Sequence, residues 1–130
     1  MDIPPLAPSV RTPFLVTIGI TLVNAAVSLA FAIQAAVADH GESIALNGVG
    51  RSLVFLFLAI AVSIARTPWG AVLVAGALAV VQAFDAIVGA IAGDPAKTWA
   101  PLVLALITGL AALWLAARLR RGSPDAPPTP

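Results

Sequence analysis

The sequence contains no cysteine and only one histidine among its 130 residues. The missing cysteines exclude disulfides, thiolate catalysis and Cys-based metal sites, and the lone His40 cannot form a histidine cluster. We therefore predict no metal and no cofactor. The sequence also lacks a phosphate-binding loop, a nucleophile elbow and a dinucleotide fingerprint. No basic patch exists outside the flanks of the apolar segments, so we predict no nucleic-acid partner.

Charged residues are also scarce, at 10% of the chain, whereas hydrophobic residues make up 60%. A soluble domain of this length needs more polar surface, because its surface-to-volume ratio is high. The apolar residues occur in long blocks rather than in an amphipathic period. This pattern predicts an all-α, multi-pass protein whose first partner is the lipid bilayer. Arginine outnumbers lysine six to one and alanine is abundant, which favours a bacterial origin and the bacterial inner membrane.

Four membrane spans forming a four-helix bundle are predicted. The apolar run 53–65 is too short to cross a bilayer alone, so the second span is extended back to Ile44, which places Asn47 and Arg51 inside it. The flanking tails are predicted to be irregular because of their proline content. The predicted layout is a cytoplasmic tail at 1–12, a membrane domain at 13–121 with spans at about 14–38, 44–65, 69–92 and 99–117, and a disordered tail at 122–130.

Arginines mark one side of the predicted bundle. The residues on that side are Arg11, Arg66, Arg118, Arg120 and Arg121, whereas the other side holds Lys97. The positive-inside rule therefore predicts that both termini face the cytoplasm. A competing interpretation is that Ala36-Val37-Ala38 is a signal-peptidase site. Because the preceding apolar segment is about twice the length of a usual signal core, we expect an uncleaved first helix.

Asp85 interrupts the third span, where a carboxylate is costly. Charged side chains in a membrane are rare, face a bundle interior or a wet cavity, and mark candidate functional sites. Arg51 and Asp85 each lie seven residues from the predicted outer ends of their spans, at Ile44 and Ala92, which is roughly 10 Å. Because these two spans are joined by a short turn, they are antiparallel neighbours. We therefore predict an ion pair between Arg51 and Asp85.

Further polar residues at or near this depth predict a polar pocket that opens outward. Gln82 lies three residues before Asp85 and shares its helix face. Asn24 lies deeper in the first span, and His40 belongs to the outer loop directly above. The candidate catalytic residues are Asp85 and Arg51. The candidate ligand-binding residues are Gln82, Asn47, Asn24, Gln34 and His40.

The chemistry of the pair leaves several roles open. Arg51 can hold a carboxylate, a phosphate or a developing oxyanion in a bidentate grip. A desolvated, neutral Asp85 would act as a general acid or base, whereas an Asp85 kept ionised by Arg51 would be an anchor or a cation site. A buried Arg–Asp pair can also simply lock two helices together.

Small residues recur every fourth position in the third span, at Ala71, Ala75, Ala79 and Ala83. Such a ridge lets helix backbones approach closely. We expect it to pack within the bundle, with a homo-oligomer interface as the alternative.

In length, four-helix layout and cytoplasmic termini, the chain resembles the small bacterial DoxX-like membrane proteins. The residues that carry the resemblance are Gly50-Arg51 at the start of the second span and Gln82-x-x-Asp85 in the third, within residues 14–118. The chain departs from the family in lacking the cysteine chemistry that DoxX-like proteins often have. The resemblance implies a four-helix membrane fold and carries no activity over.

Three functional hypotheses follow. The first is a membrane protein whose outward-facing polar pocket binds a lipophilic small molecule, either for binding alone or for acid/base isomerisation, cyclisation or epoxide opening. The second is a small proton-coupled exporter, although small multidrug transporters have their key acid in the first helix and this chain has none there. The third is a non-catalytic accessory subunit in which the Arg–Asp pair is structural.

Overall fold

The computed structural model describes residues 5–38 and 43–121. These residues form four α-helices and no strand: α1 (Pro8–Ala38), α2 (Ser43–Ile64), α3 (Pro68–Ile91) and α4 (Pro95–Arg121). By length and composition, all four helices are apolar enough to cross a membrane. The all-helical fold with four candidate spans is therefore confirmed. His40 and the tail 122–130 lie outside the described residues.

α1 begins at Pro8, inside the segment that the sequence predicts as an irregular tail. Proline is tolerated in the first turn of a helix, because its missing N–H has no intrahelical partner there. Pro13 lies inside α1 and removes one backbone hydrogen bond. Val10 and Phe14, on either side of it, are buried in the hydrophobic core. Burial of these two side chains explains why the helix extends back beyond Pro13.

The turn between α2 and α3 is short. Arg66 has a positive φ of 48°, which reverses the chain after α2. The Thr67 backbone N–H donates to the carbonyl of Val62 at 3.3 Å, and Pro68 starts the next helix. A connection of this length makes α2 and α3 antiparallel, as the sequence predicts.

The turn between α3 and α4 combines a glycine with an acidic helix cap. Gly93 has a positive φ of 67°, a conformation that favours glycine at the end of a helix. The Asp94 carboxylate then accepts hydrogen bonds from the backbone N–H groups of Ala96 and Lys97, at 3.0 and 3.1 Å. The hydrogen bond from the Lys97 backbone is the main reason why the pKa of Asp94 is lowered.

This cap predicts a loss of stability in acid. Because the pKa of Asp94 is lower in the folded chain, its stabilising contribution is complete above its ordinary value of 3.8 and is lost as pH falls through the lowered value. We expect Asp94→Asn, which keeps a capping acceptor but no charge, to have a lower Tm than the parent near neutral pH. Melting curves in detergent from about pH 7 to pH 2 test this. The difference should shrink toward the acid end, and a difference that is constant with pH would contradict the assignment.

The four helices are arranged in the cyclic order α1, α2, α3, α4. α3 packs most extensively on α4, and α2 packs mainly on α1 and less on α3. Within the described residues α2 and α4 make no contact, so they occupy opposite corners of the bundle. α2 also has the smallest buried share of the four. It is the peripheral helix, and it carries Arg51.

The distribution of side chains is inverted relative to a soluble protein. Large apolar residues point outward, with Phe57 70% and Ile91 82% exposed. Polar residues are buried instead, and the core contains many alanines, including Ala71 and Ala75 of the small-residue ridge. An apolar exterior of this extent is stable against lipid rather than water. The burial pattern therefore agrees with the composition in indicating a multi-pass membrane protein.

Candidate functional site

Arg51 of α2 and Asp85 of α3 contact each other in a bidentate geometry. Nη1 and Nη2 of Arg51 donate to Oδ1 and Oδ2 of Asp85 at 3.1 and 2.9 Å. Parallel N–H···O bonds of this kind are among the stronger hydrogen bonds in proteins. Arg51 lies eight residues after the start of α2, and Asp85 lies six residues before the end of α3. The pair is thus at similar depth on two antiparallel helices, as the sequence predicts.

The pair is open to the surface of the bundle. The Arg51 side chain is 45% exposed and that of Asp85 is 33% exposed. A guanidinium has five N–H donors, and only two of them are used by Asp85. Within residues 5–38 and 43–121, the other three have no hydrogen-bond partner. Both carboxylate oxygens of Asp85, in contrast, are already engaged by Arg51. Each oxygen keeps a second lone pair, so Asp85 can still accept, but the three free N–H donors of Arg51 are the larger unused capacity of the pair.

A second group of polar side chains lies in the centre of the bundle. Asn24 is fully buried, and its Nδ2 donates to Oγ1 of Thr108 at 2.8 Å. Gln82 donates from Nε2 to Oδ1 of Asn24 at 2.6 Å and to Oγ of Ser28 at 2.5 Å. These four residues, called here the central amide network, join α1, α3 and α4. Among the described residues, no buried side-chain nitrogen or oxygen lacks a partner.

The sequence does not show which polar residues lie beside the charged pair and which lie in the centre of the bundle. Gln82 was predicted to accompany the charged pair, because it shares a helix face with Asp85. It turns instead toward α1, and no side-chain hydrogen bond in the described chain joins it to Arg51 or Asp85. The helical turn between Gln82 and Asp85 is enough to aim one into the bundle and the other toward α2. The predicted polar zone therefore consists of two separate groups.

Two predicted ligand-binding residues, Gln34 and Asn47, do not join either group. Gln34 and Asn47 are exposed, and neither makes a side-chain hydrogen bond within the part of the chain that the structure describes. His40 lies outside the described residues. A ligand-binding role for these three stays a prediction.

One interhelical contact was not predicted from the sequence. The buried Thr17 donates from Oγ1 to the backbone carbonyl of Ala111 at 3.0 Å, joining α1 to α4. A signal for it exists in the chain, because polar residues recur along α1 at spacings of four, three and four. Such spacing places them on one helix face. The residues of this polar stripe are Thr17, Thr21, Asn24 and Ser28.

The structure also defines where cavities and metal ligands could occur. Two cavities, of about 460 and 390 Å³, lie at the opposite end of the bundle from the charged pair, near the start of α1 and the end of α4. Neither is lined by Arg51 or Asp85. In the described ranges no three His, Cys, Asp or Glu side chains come together as metal ligands. The candidate site is thus a surface-exposed ion pair between two helices.

Comparison with known proteins adds no relative to this description. No family model, no curated protein and no solved structure matches the chain.

Proposed function

We propose that this chain is a multi-pass protein of a bacterial inner membrane with both termini in the cytoplasm. The five arginines at one end of the bundle support this orientation through the positive-inside rule. We also infer that α1 is retained rather than cleaved as a signal peptide. Its removal would take Asn24 and Ser28 away from the buried Gln82 and leave that amide without these partners.

We propose that the Arg51–Asp85 pair binds the polar group of a lipophilic molecule that enters sideways from the bilayer. The observation that carries this proposal is the unused hydrogen-bonding capacity of Arg51, placed between two candidate spans. In hydrocarbon an unpaired donor costs several kcal/mol. A carboxylate, phosphate or carbonyl on a lipophilic ligand would accept from these N–H groups. Asp85 would hold the guanidinium in a fixed orientation, which makes it a positioning residue.

Binding is better supported than catalysis. For Asp85 to take or give a proton in an isomerisation, a cyclisation or an epoxide opening, one carboxylate oxygen must reach the substrate. Both oxygens accept hydrogen bonds from Arg51. A substrate would have to share these oxygens with the guanidinium, whereas ligand binding by Arg51 uses N–H groups that have no partner among the described residues.

Binding can be tested with a fluorescent long-chain fatty acid as probe, using the purified chain in nanodiscs. We expect Arg51→Gln to weaken binding of the carboxylate probe by about 10-fold or more, because a charged hydrogen bond contributes about 1.5–3 kcal/mol. The alcohol and the amine of the same chain length should bind less tightly than the acid. Titration of probe fluorescence gives the Kd of the parent and of Arg51→Gln for the acid, the alcohol and the amine.

A matched control is provided by the other ion pair. Lys97 lies 3.4 Å from Asp94 and is exposed in the first turn of α4, so Lys97→Gln removes one paired cation outside the proposed site. We expect this variant to bind the probe as the parent does. Equal binding by the parent and Arg51→Gln would exclude the site and leave the pair as a clamp between α2 and α3. Proton-gradient-dependent flux of the probe in liposomes, lost in Asp85→Asn, would instead favour the exporter.

A further inference from the structure

A second site lies at the opposite end of the bundle, where α1 begins and α2 ends. It is a cavity of about 460 Å³, within the range of small-molecule sites. Arg11 of α1 and Arg66 of the α2–α3 turn both line it, together with Ser63 near the end of α2. Among residues 5–38 and 43–121, no acidic residue lines it. The cavity is therefore cationic, and it is separate from the Arg51–Asp85 pair.

Neither arginine of this cavity is neutralised within the described chain. The ion pairs among the described residues are Arg51–Asp85 and Lys97–Asp94, both outside this cavity. No carboxylate of residues 5–38 or 43–121 lies within 4.0 Å of Arg11 or Arg66. Two cations in one cavity repel each other unless an anion lies between them. Charge complementarity thus favours an anionic occupant.

The remaining wall of the cavity is apolar. Leu6, Phe14 and Leu15 line it beside the arginines, and Leu15 is 56% exposed on the outer surface of α1. An occupant with an anionic head and a hydrocarbon tail would satisfy both parts of this wall. Free phosphate would satisfy only the arginines.

From this combination we propose that the cavity binds the phosphate headgroup of an anionic phospholipid, with its acyl chain along the exposed face of α1. Arg11 and Arg66 bind the phosphate oxygens. The Ser63 hydroxyl already donates to the carbonyl of Ala59 at 2.6 Å, so its oxygen is left as an acceptor for a hydroxyl of the headgroup. Basic pockets between membrane helices on the cytoplasmic side are suited to such headgroups.

The backbone at Arg66 strengthens the assignment. Its φ of 48° is uncommon for a residue with a large side chain, and the turn holds it through a hydrogen bond from its own N–H to the Ser63 carbonyl at 3.3 Å. Asparagine or glycine would adopt this conformation more readily. The turn alone does not favour arginine, so its guanidinium acts outside the turn, in the orientation set by the positive-inside rule and in the proposed headgroup contact.

The test uses the full chain in detergent, titrated with dioleoylphosphatidylglycerol or with dioleoylphosphatidylcholine. Saturable thermal stabilisation, followed by tryptophan fluorescence, gives an apparent Kd. We expect the anionic lipid to stabilise the parent more than the zwitterionic lipid. Arg11→Gln and Arg66→Asn should each weaken that binding about fivefold, and the double variant about 25-fold. Arg66→Asn suits the positive φ, so folding is preserved.

Arg118→Gln is the charge-matched control for the single variants, because it removes one cation from the same end of the bundle and lines neither cavity. It should keep the affinity of the parent. If Arg118→Gln weakened lipid binding as much as Arg11→Gln or Arg66→Asn does, the proposal would be overturned in favour of general attraction between charges. Equal stabilisation by inorganic phosphate, or by the two lipids, would also overturn it.

Discussion

Replacing Asn24 with leucine is expected to destabilise the bundle strongly. Leucine has a shape similar to asparagine but leaves Gln82 without the acceptor that lies 2.6 Å from its Nε2, and Thr108 without the donor at 2.8 Å. Each buried polar group left unpaired costs about 1–3 kcal/mol. Thr108 can recover part of the loss by turning its hydroxyl toward the carbonyl one helical turn earlier. The remaining penalty falls on one N–H of Gln82, because Nε2 keeps the Ser28 hydroxyl as its other acceptor, and unfolding in an SDS titration measures it.

The same substitution at Asn47 is the matched control. Asn47 is exposed on α2 and makes no side-chain hydrogen bond among the described residues, so Asn47→Leu should change the free energy of unfolding by less than about 0.5 kcal/mol. A comparable loss at the two positions would show that the central amide network contributes nothing specific.

A double-mutant cycle then identifies the partner of Asn24. If Gln82 is the group left unpaired, Asn24→Leu/Gln82→Leu should cost less than the sum of the single changes, because both amides are removed together. We expect a coupling of about 1 kcal/mol, the magnitude found for hydrogen bonds between membrane helices. Additive effects would mean that the amide–amide contact is not important for stability.

The contact between Arg51 and Asp85 could be predicted from the sequence because depth in a membrane helix depends on little more than residue counting. The rise per residue is fixed, and the short turn around Arg66 makes the two helices antiparallel. Any pair of residues at equal distance from the ends of such helices lies at the same level. Only the rotation of each helix then decides whether the two side chains meet.

Rotation is also the reason why the surroundings of the pair were not predicted correctly. Hydrophobic periodicity normally fixes which helix face is buried, but a helix that is apolar on all sides gives no such signal. Gln82 therefore could not be assigned to the bundle interior, nor Gln34 and Asn47 to the exposed surface, before the packing was known. The polar stripe of α1, which includes Thr17 and Asn24, and the small-residue ridge of α3, which includes the buried Ala71 and Ala75, are the features that indicate a helix face from the sequence.

The two polar groups differ in what they can do. The central amide network lies inside the bundle, since Asn24, Gln82 and Thr108 are buried and Ser28 is half-buried. Its hydrogen bonds join α1, α3 and α4, so its physical role is to fix the rotations of these helices. The charged pair is on the peripheral helix and exposed, with hydrogen-bonding capacity left over on Arg51. Buried polar groups whose hydrogen bonds are all made inside the bundle indicate a structural role. A cation on the side of the bundle with unused donors indicates a different role. The second points to a ligand, and the resemblance to DoxX-like proteins stays a prediction beside it.

The close approach of α3 and α4 predicts a large loss of stability when Gly89 is replaced. Replacing Gly89 with alanine would place a Cβ atom against the backbone carbonyl of Lys97 and 2.8 Å from the backbone N of Thr98. These are backbone atoms of the first turn of α4, so they cannot be displaced without shifting the helix. Overpacking of this kind costs about 1–3 kcal/mol, and we expect Gly89→Ala to reach the upper part of that range in an SDS titration.

Gly76 separates this packing effect from helix propensity. It lies on the same helix, and a Cβ added there meets no atom within 4 Å. Gly76→Ala should therefore stabilise the chain by about 0.5–1 kcal/mol, the usual advantage of alanine over glycine in a helix. Alanine is therefore expected to lower the free energy of unfolding at Gly89 and to raise it at Gly76, because only Gly89 lies against the α4 backbone. If alanine stabilised both positions, α3 and α4 would have to be farther apart at this end, and the short turn at Gly93 could not hold them in the described contact.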